Sequence, residues 1–200
     1  MPNFIHDIGI EAVESGFADD LAEYLLSLWK RDKGIEGEGL IKAAPHLVWM
    51  AGIRNPDLAP PILMAGPKSL TAQVLGADSA ATPADLEDMV GTDYRQFAAS
   101  AYSMAMENRA PQFDLVSSEF TARAEALSFR LVYERLILPY QTEAGIPHLI
   151  LYSRPIEFRM QGRALDHQGQ TSDFQLATSG RDLRQPQVGA SSEYLEGLFP

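Results

Sequence analysis

The stretch of sequence that decides the fold is FRLVYERLILPYQTEAGIPHLILYSRPI, residues 129–156. Two apolar, aromatic-rich runs, residues 129–140 and 148–156, lie on either side of the polar segment QTEAGIP. Gly145 and Pro147 in that segment are turn-forming residues, because glycine accepts a positive φ and proline presets a bent backbone. Two such runs joined by a turn predict an antiparallel β-hairpin. The hairpin contains no catalytic motif.

The charge and length of the chain limit the functions open to it. Its 200 residues are enough for one domain of about 130 to 150 residues with extensions. Acidic residues number 27 and basic residues 16, so the net charge is -11. A surface this acidic repels nucleic-acid phosphates and anionic lipid headgroups. We therefore expect neither nucleic-acid binding nor membrane binding.

The chain contains no cysteine, which removes several chemistries. Disulfides, thiolate nucleophiles, zinc–thiolate sites, covalent flavin adducts and thioether-linked haem all require that residue. The first residues, MPNFIHDIGIEAVESG, carry acids where a secretory signal has basic residues, and no apolar run approaches the ~18 residues that span a bilayer. We expect a cytoplasmic, soluble protein.

Histidine spacing does not predict a metal site. The four histidines are His6, His46, His148 and His167. None belongs to a spaced pair of the kind that a metal site requires. The phosphate-loop pattern also fails at residues 66–69, GPKS, because the upstream glycine is missing. We expect no metal and no cofactor.

A leading helix is predicted at residues 20–33. Its apolar residues recur at helical spacing and are Leu21, Tyr24, Leu25, Leu28 and Trp29. Asp20 with Glu23 resembles a capping box, and Gly34 can take the left-handed conformation that closes a helix. The apolar stripe can pack on the chain's own sheet or on a second copy. Homodimerisation through this helix is therefore an expectation.

The remaining elements are expected in a mixed order. Strands are predicted at residues 47–53, 62–65 and 113–119, ahead of the two hairpin strands. Helices are predicted at residues 69–75, from Thr82 onward, and at residues 93–108. This order predicts an α+β domain with an antiparallel sheet.

The two ends of the chain are expected to lie outside this domain. The domain is predicted at residues 19–160, after an N-terminal leader at 1–18. Residues 161–200 are polar and poorly periodic, which favours a flexible or partner-dependent extension. Residues 174–176 and 194–199 are its possible docking points.

Several short segments form a series along the chain. They are Trp29-Lys30, Pro45-His46-Leu47, ILMAG at 62–66 with Leu75-Gly76, NRAP at 108–111, and YERLILP at 133–139. In order and spacing they resemble the PAS sensor fold, in particular a divergent PAS-like family frequent in alphaproteobacteria as short, stand-alone proteins. The similarity covers roughly residues 21–156, and YERLILP is its most specific part.

The resemblance implies a five-stranded antiparallel sheet with helices on one face. Such a sheet encloses a small-molecule pocket or presents its other face to a partner, and no catalytic residues are implied. The turn after Pro139 departs from the family, since only the glycine of its short Asp/Gly turn is kept, as Gly145. Haem-binding members place a histidine on the helix that matches residues 93–108, and this helix has none.

Aromatic, thioether and cationic side chains are the candidates for lining a ligand pocket. They are Trp49, Met64, Phe97, Tyr102, Met104, Tyr133 and Arg135. For each apolar member, simple core packing is the alternative interpretation. Tyr133 and Arg135 share strand parity, so a covered face would make Arg135 a buried cation in need of an anion. Leu136 and Leu138, of opposite parity, suit the core better, which favours a solvent-facing Arg135.

These patterns leave three functional hypotheses. The first is a non-enzymatic sensory or regulatory module of signal transduction that binds a small molecule or a signalling protein. The second is a small cone-shaped α+β enzyme of the isomerase or dehydratase kind, whose base would be Asp114 or His148. The third is a protein–protein adaptor without a ligand.

Overall fold

The computed structural model describes residues 3–75, 92–122, 127–165 and 171–177. Its strands are β1 (Phe4–Asp7), β2 (Leu47–Ala51), β3 (Ile62–Ala65), β4 (Gln112–Ala122), β5 (Leu127–Gln141), β6 (Pro147–Leu165) and β7 (Thr171–Ala177). Its helices are α1 (Ile10–Glu14), α2 (Asp20–Asp32), α3 (Glu38–Ala43), α4 (Leu70–Leu75) and α5 (Thr92–Asn108), with a 3₁₀ turn at Ala44–His46.

The described strands form one antiparallel sheet in the order β1-β4-β5-β6-β2-β3, with β7 paired to β6. The α+β class and the antiparallel sheet are thus confirmed. The sheet has seven strands where five were expected, because β1 and β7 add to the predicted set. No helix among these residues is long and apolar enough to cross a membrane.

The hairpin predicted at residues 129–156 is confirmed, and both of its strands are longer than predicted. β5 and β6 pair from Gln141 and Pro147 outward, with a bulge between Val132 and Tyr133. The connecting turn is closed by the Gly145 amide, which donates to the Thr142 carbonyl at 2.8 Å. Gly145 has φ +78°, a conformation that residues with a Cβ rarely adopt.

The sheet is covered by helices on both faces. On one face Leu25 and Leu28 of α2 pack with Leu136 and Leu138 of β5; we call this the α2 face. The other, here called the α5 face, buries an alanine-rich side of α5 and lies under α4. Its core residues include Ala98, Ala101, Ala105, Ile137 and Leu149. Because strand side chains alternate, neighbouring residues of β5 belong to different cores.

The ends of α2 are fixed by specific contacts. The Asp19 carboxylate caps the helix by accepting from the Ala22 amide at 2.9 Å, one residue before the predicted cap. The helix is capped by Lys33, with φ 52°, and Gly34 after it has φ 70°, so Gly34 takes the left-handed conformation that was expected. Trp29 donates its indole N–H to the Pro139 carbonyl at 2.7 Å. The helix therefore packs on the chain's own sheet, and homodimerisation stays a prediction.

Regular structure extends beyond the predicted domain at both ends. β1 pairs with β4, with Ile5 opposite Val116, so part of the predicted leader belongs to the sheet. β6 continues to Leu165 and pairs with β7, where no regular structure was expected beyond Met160. The helix predicted from Thr82 and the docking point at 194–199 lie outside the described residues. The domain limits themselves stay a prediction.

The backbone at Gly66 lies so close to the 3₁₀ turn and the start of β2 that only glycine fits at this position. Its amide donates to the Leu47 carbonyl at 2.8 Å, so it joins the end of β3 to the start of β2. A Cβ at this position would overlap the carbonyl oxygens of Ala44 and Pro45. Backbone atoms cannot move aside as a flexible side chain does, so any side chain here forces β3 away from the 3₁₀ turn.

We predict that Gly66→Ala lowers the free energy of unfolding by about 1–3 kcal/mol, the usual cost of overpacking. Gly37→Ala is the matched control, because its Cβ would lie 3.4 Å from the nearest atom, Asp32 Oδ2. Urea unfolding followed by far-ultraviolet circular dichroism measures both. Equal losses in the two variants would contradict the close approach at Gly66.

Candidate ligand-binding cavity

A cavity of about 80 Å³ lies between the α5 face of the sheet and helices α4 and α5. Its apolar walls come mainly from four strands and α4, and include Val48, Met50, Ile62, Leu70, Leu131 and Leu151. One buried water needs roughly 10–15 Å³, so the space exceeds that of a single water several times over. Apolar walls with a few polar groups are typical of small-molecule sites.

The polar groups of the cavity are brought together by helix and strand periodicity. Tyr94 and Tyr102 lie eight residues apart on α5, about two helical turns, and so share one side of the helix. Tyr133 and Arg135 lie two residues apart on β5 and share the α5 face. The hydroxyls of Tyr94 and Tyr133 are hydrogen-bonded to each other, which joins helix and strand across the cavity wall.

Arg135 is the central polar residue of this wall. Its side chain is 1% exposed, and its Nη2 donates to Asp114 Oδ2 at 2.7 Å. Asp114 is its direct partner across β4 and β5. The guanidinium carbon lies 4.7 Å from the centre of the Tyr102 ring, which adds a cation–π contact. The cation is thus held from a neighbouring strand and from a helix.

Two nitrogens of Arg135, Nε and Nη1, have no hydrogen-bond partner among the described residues. A buried donor without a partner costs about 1–3 kcal/mol. Such groups are uncommon in folded proteins and call for an explanation such as a ligand or an ordered water. Both nitrogens belong to a residue that lines the cavity.

The expectation that Arg135 faces solvent is wrong. The parity argument placed Leu136 and Leu138 in the core correctly, on the α2 face. It failed for Arg135 because α5 covers the opposite face as well. Of the two alternatives, the buried cation that needs an anion is the one observed, and the described anion is Asp114.

Burial sets the protonation of the groups around Arg135. It raises the pKa of Tyr94, Tyr102 and Tyr133, so their hydroxyls stay protonated at neutral pH. Burial also raises the pKa of Asp114, although Arg135 beside it acts in the opposite direction. Arginine is charged at all physiological pH values. The wall therefore combines a fixed cation with neutral hydroxyls.

The predicted ligand-binding residues separate into two groups. Tyr102, Tyr133 and Arg135 line the cavity together. Phe97 lies beside it, with its ring 6.2 Å from that of Tyr94. The other candidates, Trp49, Met64 and Met104, lie away from it. Whether any of these residues binds a ligand stays a prediction.

The three distant candidates have other environments. Trp49 belongs to the α2 face, where its indole N–H donates to Glu36 Oε1 at 3.3 Å. Met64 and Met104 are 47% and 46% exposed. Sequence reasoning missed Tyr94 and Arg95 as lining residues. The spacing of eight residues between Tyr94 and Tyr102 is the signal that finds the first of them.

The two candidates for an enzymatic base do not form one site. Asp114 is paired with Arg135 on the α5 face. His148 lies on β6 on the α2 face, stacked on the Tyr140 ring with the centres 6.2 Å apart. The sheet itself separates them. Within the described ranges, no group of three His, Asp or Glu side chains is arranged to hold a metal.

A second arginine–carboxylate pair lies on the α2 face. Arg154 Nε donates to Glu134 Oε2 at 2.8 Å, across β5 and β6. The Arg154 side chain is 36% exposed, so water reaches this pair. Asp19, the cap of α2, accepts from the Tyr152 hydroxyl and lies 3.8 Å from Arg154. This pair fixes a helix to the sheet and is separate from the cavity.

We predict that Arg135→Met lowers the free energy of unfolding by about 3–5 kcal/mol, because it leaves the Asp114 carboxylate buried and unpaired. The double variant Asp114→Leu/Arg135→Met recovers most of the loss, since apolar side chains replace the whole pair. Urea unfolding at neutral pH is the measurement. Arg154→Met is the control, and its loss is smaller because the Arg154 side chain is 36% exposed, so water can reach Glu134 once the guanidinium is removed. A loss as large in the control would contradict the difference in burial.

We predict that the cavity tyrosines resist ionisation while the protein is folded. The pKa values of Tyr94, Tyr102 and Tyr133 in the folded protein lie above the unfolded value of about 10. The stability that these neutral hydroxyls contribute is therefore complete below pH ~10 and is lost as the pH rises through their folded-state pKa values. Tyrosinate absorbance during an alkaline titration, compared with the protein in urea, measures this. Ionisation of all seven tyrosines near pH ~10 with the fold intact would show that these three hydroxyls are exposed.

Comparison with known proteins gives little similarity. No protein-family model matches the chain, and no curated protein matches it. Among solved structures, the chain is similar to one described as "Structure of an RNA-binding Light-Oxygen-Voltage Receptor", with 16% identical residues and a TM-score of 0.39. The similarity covers 78% of this chain and spans 38% of the other. Family membership does not follow from these similarities.

Proposed function

We propose that this chain is a non-enzymatic, PAS-like sensory or regulatory module that binds a small molecule in the cavity between β5 and α5. The observation that carries the proposal is the buried Arg135, which lines an apolar cavity with two nitrogens lacking partners among the described residues. A well-formed apolar pocket with a few convergent polar groups is the most common form of a ligand site.

The placement of α2 supports a sensory role over simple storage of a ligand. A ligand in the cavity contacts β5 through Tyr133 and Arg135, on the α5 face. The same strand holds α2 on the opposite face, through the Trp29 bond to the Pro139 carbonyl. A ligand that favours one position of β5 therefore shifts the position of α2 with it. We propose that a signalling protein, or a second copy of the chain, contacts this helix.

The enzymatic hypothesis is the weaker one. An isomerase or dehydratase needs a base that faces its substrate inside the cavity. Asp114 does not line the cavity, since it lies behind Arg135, and His148 belongs to the other face of the sheet. The adaptor hypothesis differs only in leaving the cavity unfilled.

We expect freshly purified, untagged protein to carry a small non-covalent adduct. Native mass spectrometry gives the mass of the assembly with any ligand, and denaturing mass spectrometry gives the mass of the chain alone. A reproducible difference between the two supports a ligand-binding module, and the native mass also tests homodimerisation.

Ala59→Leu provides the matched variant, because Ala59 is a small residue of the cavity wall and the larger side chain fills the space. We expect it to fold and to lose the adduct, with circular dichroism as the check of folding. A spectrum without adduct in the unsubstituted protein would favour the adaptor. An adduct that persists in Ala59→Leu would place the ligand elsewhere.

A further inference from the structure

His148 is a buried histidine whose ring has one nitrogen without a partner. The residue lies on β6, and its side chain is 7% exposed. Its Nδ1 lies 3.4 Å from the Ile146 carbonyl oxygen, whereas Nε2 has no hydrogen-bond partner among the described residues. A buried polar atom without a partner is uncommon in folded proteins and calls for an explanation. The cavity does not explain it, because His148 belongs to the α2 face, on the other side of the sheet.

The carboxylate of Glu36 lies close to this nitrogen. Glu36 Oε1 is 3.8 Å from His148 Nε2, which is too long for a hydrogen bond. The same oxygen accepts the Trp49 indole N–H at 3.3 Å, so the carboxylate is held beside the sheet. When His148 is neutral and its proton is on Nδ1, directed at the Ile146 carbonyl, Nε2 is an acceptor. Two acceptors form no hydrogen bond, which accounts for the separation.

Protonation of His148 makes this contact attractive. Both ring nitrogens of a histidinium are donors, so Nε2 can donate to Glu36 while Nδ1 keeps the Ile146 carbonyl. Hydrogen bonds between charged partners are roughly twice as strong as neutral ones. An ordinary imidazole changes its charge between pH ~5 and ~8, and ordinary carboxylates are ionised over that range. The attraction is therefore present at the acidic end of this range and absent at the alkaline end.

The other charged or titratable groups described around His148 leave Glu36 as its counter-ion. The Tyr140 ring of β5 stacks on His148 with the centres 6.2 Å apart, and burial raises the pKa of its hydroxyl, which stays neutral. Arg31 and Asp32, at the end of α2, act on the pKa of Tyr140 in opposite directions and are paired with each other at 2.7 Å. The β2 residue opposite His148 is an alanine.

Glu36 belongs to the segment that joins the end of α2 to the hairpin. Its amide donates to the Gln141 carbonyl at 3.0 Å, and the Gln141 amide donates to the Gly34 carbonyl at 2.8 Å. This segment directly follows Lys33, the cap of α2. Attraction between His148 and Glu36 therefore acts on the attachment of the C-terminal end of α2 to β5.

We propose that His148 and Glu36 form a pH-dependent ion pair that fastens the C-terminal end of α2 to the β5–β6 hairpin at mildly acidic pH and releases it at mildly alkaline pH. Protonation draws Glu36 Oε1 from 3.8 Å to a hydrogen-bonding distance of about 2.8 Å. The histidine gains its partner only when charged, so the attachment is strongest in acid and is lost as the pH rises. A proton thus acts on the same helix as the proposed ligand but at a separate site, so failure of this inference leaves the proposed function unaffected.

Hydrogen exchange followed by NMR on the full chain tests the ion pair. The Glu36 and Gln141 amides report the attachment, and the Ile8 amide, which donates to the Phe113 carbonyl of β4, is the internal reference. The protection of each amide is its slowing relative to an unstructured peptide at the same pH, which removes the intrinsic effect of pH on exchange. We expect the protection of Glu36 and Gln141 to be about tenfold greater at pH ~5 than at pH ~8, as one charge-assisted hydrogen bond contributes, and that of Ile8 to change less.

Two substitutions remove the two partners in turn. Glu36→Gln keeps the size of the side chain and its acceptor for Trp49 but has no charge, and His148→Phe keeps a ring against Tyr140 but binds no proton. We expect each to abolish the difference between the two pH values, with circular dichroism as the check of folding. Glu38→Gln is the matched control, because it removes the same charge from an exposed position two residues along the chain, and we expect it to keep the difference.

Three outcomes would contradict the ion pair. A difference that persists in Glu36→Gln assigns the effect of pH to another group. Protection of the Glu36 and Gln141 amides that does not rise in acid in the unsubstituted protein shows that the contact does not form. An equal change at the Ile8 amide shows that the effect is on the whole fold. If His148→Phe fails to fold, Glu36→Gln decides the question alone.

Discussion

The buried ion pair between Arg135 and Asp114 is the interaction on which the rest of this structure depends. A guanidinium in the interior is costly unless an anion lies beside it. Asp114 on β4 supplies that anion, and the Tyr102 ring on α5 adds a cation–π contact. The pair therefore requires that β4, β5 and α5 stay together. It links the centre of the sheet to the helix that closes the cavity.

Strand β5 makes different contacts on its α5 face and its α2 face. Towards α5 it presents Tyr133 and Arg135 to the cavity, and towards α2 it presents Glu134, whose partner Arg154 lies near the cap of that helix. Adjacent residues of one strand thus line the cavity and attach α2. Only the thickness of one strand separates the cavity from the attachment of this helix.

Local patterns in the sequence predicted the parts of the fold that local energetics decide. The stripe of α2 and the turn at Gly145 depend on neighbouring residues, and both were found. The burial of Arg135 was not predicted, because the alternation of residues along a strand indicates which of them share a face but not what covers that face. β1 was also missed, since four residues that gain stability only by pairing with distant β4 leave a weak local pattern. Predicting the cavity requires both local patterns and contacts between distant segments, because its wall joins β5 to α5.

The alternation of Glu134 and Arg135 also bears on how accurately the sheet assembles. A slip of one residue in the pairing of β5 turns every one of its side chains to the opposite face. A slip in one direction would place Arg135 opposite Arg154, and a slip in the other direction would place Glu134 opposite Asp114. Either contact would join like charges across the sheet. Two adjacent ionic residues of opposite sign thus penalise misregistered pairing, and the strand specifies its own alignment during folding.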